Sequence, residues 1–547
     1  MKKTRNKRNP KSWITLTLIL SLSLWVPNYQ AAAAPKEEET KTEELYLKSA
    51  TYYANDWVIN FWNLEDDFLE EDLRQIAADG FNSIILAVPW REFQVDMDSR
   101  RYNQYALDKL HRVMDAAGEE GLLVILRVGY TWDHAGNGNI LDRYRDLIYK
   151  EEVREAWMDY VGRIYEESSV HSNFYGGFLT WEDFWNFTDA AGALGDTEYS
   201  RRLAEDMGYT DYVKERVSLE EAGRQYRKNF ENWSQLYLPG RETEAYSLFL
   251  SFYDNFLNQL LAESQAVFPN LSMEVRADAD PINNQNGELV GFTHETTFGC
   301  QDSAYTSLMY AVSMGMSLGN DHMTADQVLP QTAATLDWVR SHNGGKPLYI
   351  DQLLFTDNTP GFEENSRLDE GEIPIYLTRL APVLQGRTLG YGVWTYRDYG
   401  NNMIYNCQFA LGDGGWNSFG RTKVEERDGS NQMKLESYSR ISQTVNTAGS
   451  AVKGDTVKVC FQADSPSGSN LTVSLGKRSR TVKVEGKQQL NLEFSGTGLN
   501  ELSISSDSTV YLDNIKVYTQ VTEGKLYDIN GNPESCLEAV RILNSSL

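Results

Sequence analysis

The sequence has 547 residues and a formal net charge of −27, from 78 acidic and 51 basic side chains. Such a charge repels phosphate backbones and anionic lipid surfaces, so it argues against nucleic acid and anionic membranes as partners. It is compatible with neutral or cationic substrates, and the length suffices for a large domain plus a smaller one.

Residues 1–34 have the pattern of a secretory signal peptide. Several basic residues and no acidic one precede the apolar run Trp13–Trp25, and Ala31–Ala34 provides a small-residue cleavage site. The run is too short to span a bilayer comfortably, and no later stretch is long enough. We therefore expect a secreted, extracellular protein without membrane insertion, in which the charged residues 35–48 form a linker.

Strand and helix patterns alternate from residue 49 to residue 402. Predicted strands are Trp57–Trp62, Ser83–Trp90, Leu122–Tyr130, Tyr175–Glu182, Leu271–Arg276, Thr306–Ser313, Pro347–Asp351 and Gly390–Tyr396. Predicted amphipathic helices between them include Leu69–Asp79, Tyr105–Glu119, Glu152–Glu167 and Ala325–Ser341. This alternation over some 350 residues favours an α/β fold, the (β/α)8 TIM barrel. The first strand lacks a glycine-rich dinucleotide fingerprint, which disfavours an open sheet, and we expect no cofactor.

The pattern changes at about residue 403. Short alternating segments separated by Gly, Ser, Asn and Asp turns predict an antiparallel β-sandwich over residues 403–520. No flexible linker precedes it, so we expect the sandwich to dock on the barrel. Residues 521–547 end in an amphipathic segment with Leu537, Val540 and Leu543 on one face. This helix has two possible positions: on the barrel, in place of an eighth helix for which the sequence leaves no room, or on the sandwich.

Tryptophans concentrate where predicted barrel strands end. The six residues are Trp62, Trp90, Trp132, Trp181, Trp185 and Trp394. The C-terminal ends of barrel strands converge on one rim, where the active sites of this fold occur. Because indole faces stack on sugar rings, the pattern predicts a carbohydrate-binding cleft. The alternative is that some of these indoles only pack loops against the barrel mouth.

Glu182 is the candidate general acid. It ends the fourth predicted strand between Trp181 and Trp185, and indoles that exclude water raise the pKa of a carboxyl group. Asp183 is the rival, because successive strand residues point to opposite sides and only one of the two faces the cleft. The alternative for both is a carboxylate that caps the following helix.

Glycosidic-bond cleavage requires a second carboxylate. Asp351 is the first candidate, provided that a one-residue register shift brings it to the rim. Glu295 is the second, with His294 beside it to orient or protonate a neighbour. Glu274 is the third, although it can instead form an ion pair with Arg276 inside the barrel.

Other polar residues follow the third and eighth strands and are candidates for binding sugar hydroxyls. They are Arg127, Tyr130, His134 and Tyr396. The alternative is a polar network that braces the rim. Scattered histidines and four cysteines without a CxxC pair predict no metal site.

Four segments of the barrel resemble clan A glycoside hydrolases, nearest the cellulase-like family 5. Gly80–Trp90 resembles the second strand, Thr180–Glu182 the acid/base segment, Pro347–Gln352 the seventh strand and Val393–Thr395 the eighth-strand tryptophan platform. The resemblance implies a (β/α)8 enzyme that cleaves O-glycosidic bonds of a polysaccharide or oligosaccharide by a retaining mechanism, with Glu182 as the acid/base.

The C-terminal part resembles carbohydrate-binding modules of the β-sandwich type. The segments that carry this resemblance are Asn406–Phe409 through Trp416, Ile441–Val445 and Val510–Ile515. The same fold also serves as a structural spacer.

Three positions depart from the clan pattern. Ile85 stands where the clan has arginine, Trp181 where it has asparagine, and Gln352 where it has the nucleophilic glutamate. Glutamine cannot form a glycosyl ester. A second interpretation is therefore a catalytically inactive carbohydrate-binding protein on the same scaffold.

Overall fold

The computed structural model describes most of the chain from residue 45 onward. The described residues are 45–58, 60–65, 68–129, 146–180, 187–188, 190–276, 282–283, 289–290, 302–312, 322–356, 367–446, 456–495, 498–519 and 521–547. In these segments no helix has the length and apolar character needed to cross a bilayer.

Eight parallel strands close into a barrel, which confirms the predicted fold class. They are β1 (Leu47–Thr51), β2 (Ser83–Pro89), β3 (Leu123–Gly129), β4 (Phe174–Leu179), β5 (Ser272–Arg276), β6 (Thr306–Ala311), β7 (Leu348–Leu354) and β8 (Gly390–Val393). Their order around the barrel follows the chain, and β8 closes on β1. β2 is buried along its whole length, because one side of a barrel strand meets the interior and the other meets helices.

Helices cover the outside of the barrel. The longer ones are α1 (Leu69–Ala78), α2 (Gln104–Glu119), α3 (Glu151–Ser168), α4 (Tyr246–Gln265), α5 (Ala325–His342) and α6 (Ile373–Arg379). Shorter helices span Trp90–Phe93, Glu198–Asp206, Tyr209–Lys214, Leu219–Tyr226 and Ala381–Leu384. The Asn103 side chain accepts from the Ala106 N–H and so caps α2. The apolar helix faces join one core with the outward-facing side chains of the strands.

Short elements complete the connections. Two-stranded pairs join Gln94–Asp96 to Arg101–Tyr102, Ile282–Asn283 to Leu289–Val290, His322–Met323 to Arg367–Leu368, and Tyr399–Gly400 to Val521–Thr522. Single 3-10 turns occupy Phe61–Asn63, Trp233–Gln235 and Glu370–Glu372.

The predicted first strand is wrong. Trp57–Trp62 leads into the 3-10 turn Phe61–Asn63 and is not a strand. The first barrel strand is Leu47–Thr51, which begins in the last two residues of the predicted linker and continues into the predicted barrel domain. Trp62 is buried in the core, so the apolar character of this segment reflects core packing and not a strand. β1 escaped prediction because Ser49 and Thr51 interrupt its apolar pattern.

The C-terminal domain is an antiparallel sandwich-like sheet. Its strands are β9 (Asn417–Phe419), β10 (Thr422–Arg427), β11 (Ser430–Leu435), β12 (Ser439–Asn446), β13 (Thr456–Leu475), β14 (Arg478–Ser495), β15 (Leu499–Ser506) and β16 (Val510–Tyr518). The long strand β13 pairs with β16 along its first half and with β15 along its second half. A register shift between Ser465 and Ser469 separates the halves, and apolar residues of both face one core.

Buried polar contacts join the sandwich to the barrel. Lys516 of β16 lies 3.2 Å from the buried carboxylate of Asp56, which also accepts from Asn60 and Asn402. Asn402 in turn accepts from the backbone N–H of Val517. Because buried charges require partners, this network fixes the position of the sandwich on the barrel.

The C-terminal helix α7 (Leu537–Ser546) packs on the barrel, one of the two positions that the sequence left open. Asp79, directly after α1, is its anchor: the buried carboxylate accepts from Arg541 of α7 at 2.9 Å and from Tyr396 and Tyr527 at 2.8 and 2.9 Å. Asn544 donates to the Asp79 carbonyl. α7 therefore completes the helical cover beside β1 and β8.

We expect Asp79→Ala to lower the free energy of unfolding by about 2–3 kcal/mol, because two buried tyrosine hydroxyls lose their acceptor. Glu538→Ala is the matched control, since Glu538 contacts the same Arg541 from an exposed position. It should cost less than about 0.5 kcal/mol. Urea denaturation of both variants measures the difference, and equal effects would contradict the anchoring role of Asp79.

Candidate active site

The interior of the barrel changes from apolar to polar toward the C-terminal ends of its strands. An apolar layer contains Ile125 on β3, Phe178 on β4, Tyr305 just before β6 and Tyr349 on β7. Alternate strand residues point the same way, so the residues two positions further on also face the interior. These are Arg127, Thr180, Ser307 and Asp351. Together with Glu274 on β5 and Gln352 on β7 they form what we call the polar layer.

Arg127 is the centre of the polar layer and is only 1% exposed. Its guanidinium group lies 2.8 Å from Glu274 Oε2 and donates to Thr180 Oγ1 at 3.0 Å. The Thr180 hydroxyl donates onward to Glu274 Oε1 at 3.3 Å. Glu274 thus pairs with Arg127, and the suggested ion pair between Glu274 and Arg276 stays a prediction.

A register shift in β7 interrupts the alternation of the strand directly at Asp351. On the neighbouring strand β6, Leu308 pairs with Ile350 and Met309 pairs with Gln352, so Asp351 is an extra residue between them. Ile350 and Leu353 both pack in the outer core. The extra residue leaves Asp351 and Gln352 both on the interior side of the strand.

Asp351 is fully buried and is held by one hydrogen bond, 2.6 Å long, from the Ser307 hydroxyl to Oδ2. Its Oδ1 atom has no hydrogen-bond partner among the described residues. Burial raises the pKa of Asp351 well above its usual range, and the nearby Glu274 charge adds to this, while Arg127 and Ser307 oppose it. Asp351 is therefore a carboxyl group that holds its proton more tightly than an ordinary aspartate.

Gln352 binds the same arginine. With its amide oxygen directed toward Arg127, it accepts hydrogen bonds of 2.6 Å from both terminal nitrogens. The sequence resemblance places a nucleophilic glutamate at this position. The clan arginine on the second strand is replaced by Ile85, and an arginine reaches this layer from the third strand instead.

Trp394, directly after β8, lies over the polar layer. Its ring centroid is 5.5 Å from the Arg127 guanidinium carbon, and its indole packs against Tyr53 at 5.5 Å. Two residues before Trp394, Gly392 leaves room for Ile85 and for the β7 backbone, because a Cβ there would lie 2.6 Å from Ile85 and 3.0 Å from the Asp351 carbonyl oxygen. Trp394 is partly exposed, as a sugar platform has to be.

Trp62 and Trp90 lie elsewhere, and the prediction that they bind sugar at the rim is wrong. Both are fully buried. The Trp62 indole N–H donates to the Ala87 carbonyl, and the Trp90 indole N–H donates to Gln94. Their faces are used in the packing between strands and helices, so neither presents a face to a ligand.

Tyr396 is also misassigned as a substrate-binding residue. It is 1% exposed, packs against Tyr527 and donates to the anchor Asp79. It is part of the junction between the barrel and the C-terminal tail.

The remaining predicted site residues lie outside the described part of the chain. They are Tyr130, Trp132, His134, Trp181, Glu182, His294 and Glu295. The rivals and neighbours Asp183 and Trp185 lie there as well. All of them remain predictions.

Thr180 and Ser307 are members of the site that the sequence analysis missed as site residues. Each follows a buried aromatic residue of the apolar layer by two positions, Phe178 and Tyr305 respectively. That spacing is a usable signal once the inward face of a strand is known. Hydroxyl groups alone carry no comparable signal.

The polar layer combines one arginine, two carboxyl groups and two hydroxyls away from water. A carboxyl group with a raised pKa can hold or accept a proton near neutrality, and a buried arginine can fix the orientation of a neighbouring carboxylate. Within the described residues, no group of three or more His, Cys, Asp or Glu side chains is arranged to hold a metal ion. The arrangement suits acid–base chemistry.

Comparisons with known proteins give distant matches only. No protein-family model and no curated protein matches the chain. Among solved structures, a GH5_18 protein from Bifidobacterium longum with Manβ1-4GlcNAc is 13% identical, covers 64% of this chain and 69% of its own, and gives a TM-score of 0.40. An exo-β-1,4-mannosidase from an Opitutaceae bacterium is 12% identical, with coverages of 65% and 52% and a TM-score of 0.39. A β-galactosidase from Rahnella is 15% identical, with coverages of 65% and 51% and a TM-score of 0.42. These values are too low to transfer an activity or a residue role to this chain.

Proposed function

We propose that this protein is a secreted glycoside hydrolase that cleaves O-glycosidic bonds of a polysaccharide or oligosaccharide. The observation that carries the proposal is the polar layer at the C-terminal ends of the barrel strands. It contains the buried carboxyl groups of Glu274, paired with Arg127, and of Asp351, held by Ser307, with the partly exposed Trp394 above. Active sites of this fold lie at that end. The sequence resemblance and the signal-like N-terminus support the same proposal.

Glu182 is the proposed acid/base, two positions beyond Thr180 in the sequence. Asp351 is the proposed second carboxylate, because it faces the barrel interior in the layer that contains Arg127. In a retaining reaction Asp351 attacks the sugar while Glu182 protonates the departing oxygen, and Glu182 then activates the water that releases the product. Trp394 stacks on the sugar ring. Ser307 holds Asp351 by its hydroxyl group, and Arg127 positions Glu274 and Gln352.

One observation favours a second candidate, a catalytically inactive carbohydrate-binding protein. Gln352 occupies the position that the resemblance assigns to the nucleophile, and it is bound to Arg127 by two hydrogen bonds. In that case the barrel binds a sugar beneath Trp394 without cleaving it.

Reducing-sugar release from plant, fungal and bacterial polysaccharides separates the two functions. We expect the wild type to release sugar from at least one glycan and Glu182→Gln to bind that glycan without releasing sugar. Asp183→Asn is the matched control and should retain turnover; the reverse pattern would transfer the acid/base role to Asp183. Binding without release by the wild type, on every glycan tried, would refute the enzyme proposal and favour the binding protein.

A further inference from the structure

The sandwich has a cleft of its own. It has a volume of about 590 Å³ and lies along the first half of β13, which pairs with β14 on one side and with β16 on the other. Six residues that line it define the sandwich cleft: Lys458, Cys460, Arg480, Asn491, Glu493 and Tyr518. None of them takes part in the catalytic proposal.

Three of these side chains carry polar groups that the fold does not use. The guanidinium of Arg480, the amide of Asn491 and the carboxylate of Glu493 make no side-chain hydrogen bond or ion pair with any described residue. Elsewhere on the same strand, Lys483 pairs with Glu485. A guanidinium, an amide and a carboxylate directed into one cleft supply donors and acceptors for a ligand rich in hydroxyl groups.

Tyr518 adds an aromatic wall to the sandwich cleft. Its ring is partly exposed, and the ammonium of Lys458 lies 5.8 Å from the ring centroid. A Cβ on Gly400 of the barrel would lie 3.6 Å from the ring, so the barrel backbone supports the ring from one side. A supported aromatic ring beside polar groups without partners is an arrangement that fits a sugar ring, which has both an apolar face and a hydroxyl edge.

The charges of the sandwich cleft favour an acidic sugar. Lys458 and Arg480 bring two positive charges against the single negative charge of Glu493, in a chain whose net charge is −27. A guanidinium group binds a carboxylate with two parallel hydrogen bonds. We propose that the sandwich cleft binds an oligosaccharide that carries uronic acid groups, with Arg480 on the carboxylate, Asn491 and Glu493 on hydroxyls, and Tyr518 against the ring.

This binding site does not depend on the catalytic proposal, because binding is measured without turnover. The cleft nevertheless lies beside the barrel. Residue Thr519, next to Tyr518, donates its backbone N–H to Asn401, seven positions after Trp394. A glycan held in the cleft is therefore kept near the barrel.

Isothermal titration of the full chain with oligogalacturonate, oligoglucuronate and neutral cello-oligosaccharides tests the proposal. We expect binding of at least one uronate and about tenfold weaker binding of the neutral sugars, as expected when one charge-assisted contact is lost. Arg480→Gln and Tyr518→Ala should each weaken uronate binding about tenfold or more. Arg480 is exposed, so its replacement keeps the test valid even if Tyr518→Ala does not fold.

Tyr438→Ala is the matched control, since Tyr438 is 81% exposed on the same domain and does not line the sandwich cleft. Its uronate affinity should equal that of the wild type. The proposal is overturned if no uronate binds, if neutral sugars bind as tightly as uronates, or if Arg480→Gln binds like the wild type. Failure of sugar release in the catalytic test leaves these titrations unaffected, so the two proposals fail independently.

Discussion

Replacing Asp351 by asparagine is expected to lower turnover about 10³-fold or more while leaving the protein folded and, at neutral pH, at least as stable as the wild type. Asparagine keeps the acceptor for Ser307 but cannot act as the second carboxylate. The folded protein itself raises the pKa of Asp351, through burial and the charge of Glu274. A buried carboxyl group with a raised pKa lowers the stability of the fold at neutral pH, and such groups are concentrated at functional sites.

The sign of the stability change with pH follows from that pKa. Because the folded-state pKa is above the unfolded value of about 3.9, the stability linked to Asp351 is fully present below pH 4 and is lost as pH rises through the folded-state pKa. Asparagine is neutral at every pH and escapes this loss. The difference in free energy of unfolding between the variant and the wild type should therefore shift in favour of the variant as pH increases.

Urea denaturation at several pH values, together with initial rates, checks both halves of this prediction. Asp56→Asn is the matched control, because Asp56 is an equally buried aspartate whose charge is paired with Lys516. It should lose stability. If Asp351→Asn keeps turnover within tenfold of the wild type, the second carboxylate is elsewhere, with Glu274 and Glu295 as the candidates.

The activity of the wild type should begin to fall, as pH is lowered, at a higher pH than an ordinary aspartate would impose. In the proposed reaction Asp351 attacks only in its ionised form, so we expect kcat/KM to decline as pH decreases through its raised pKa. An acid limb at the ordinary pKa of an aspartate would contradict this assignment.

Arg127→Met is expected to lower the free energy of unfolding by about 3–5 kcal/mol, because it leaves the buried carboxylate of Glu274 without its cation. Methionine fills part of the space but supplies no donor to Glu274, Thr180 or Gln352. The double variant Arg127→Met with Glu274→Gln removes both charges and should recover a large part of the loss. Chemical denaturation of the two single variants and the double variant gives the coupling energy. A loss below about 1 kcal/mol in Arg127→Met, or no recovery in the double variant, would show that the pair does not stabilise the fold.

The fold was predictable where apolar periodicity was long and uninterrupted. Ser83–Trp90 and Leu122–Tyr130 were predicted as strands and are β2 and β3 to within one residue at each end. β1 was missed because residues that face a barrel interior need not be apolar. The first strand was assigned to the apolar run Trp57–Trp62 instead.

The residue types of the site were predictable from the sequence, but the directions in which their side chains point were less so. Asp351 follows the interior residue Tyr349 by two positions, but Gln352 reaches the interior only through a register shift that a sequence pattern cannot show, since the extra residue is defined by pairing with β6. Trp90 directly follows the end of β2, yet its side chain faces outward. Ile85 faces the barrel interior, so the odd-numbered residues of β2 point inward. Position 90 is even and therefore points away from the interior. Whether a residue is odd or even along its strand therefore tells more about the direction of its side chain than whether it lies at the strand end.

The contact between Asp79 and Arg541 joins residues 462 positions apart, with the whole sandwich between them in the chain. During synthesis the barrel cannot acquire α7 until the sandwich has been made, so the two domains share one folding history. The same arrangement makes the sandwich an insertion between two parts of a barrel and not an appendage to it. A gene that exchanged this sandwich for another module would also have to preserve the return of the chain, which ties the inheritance of the two domains together.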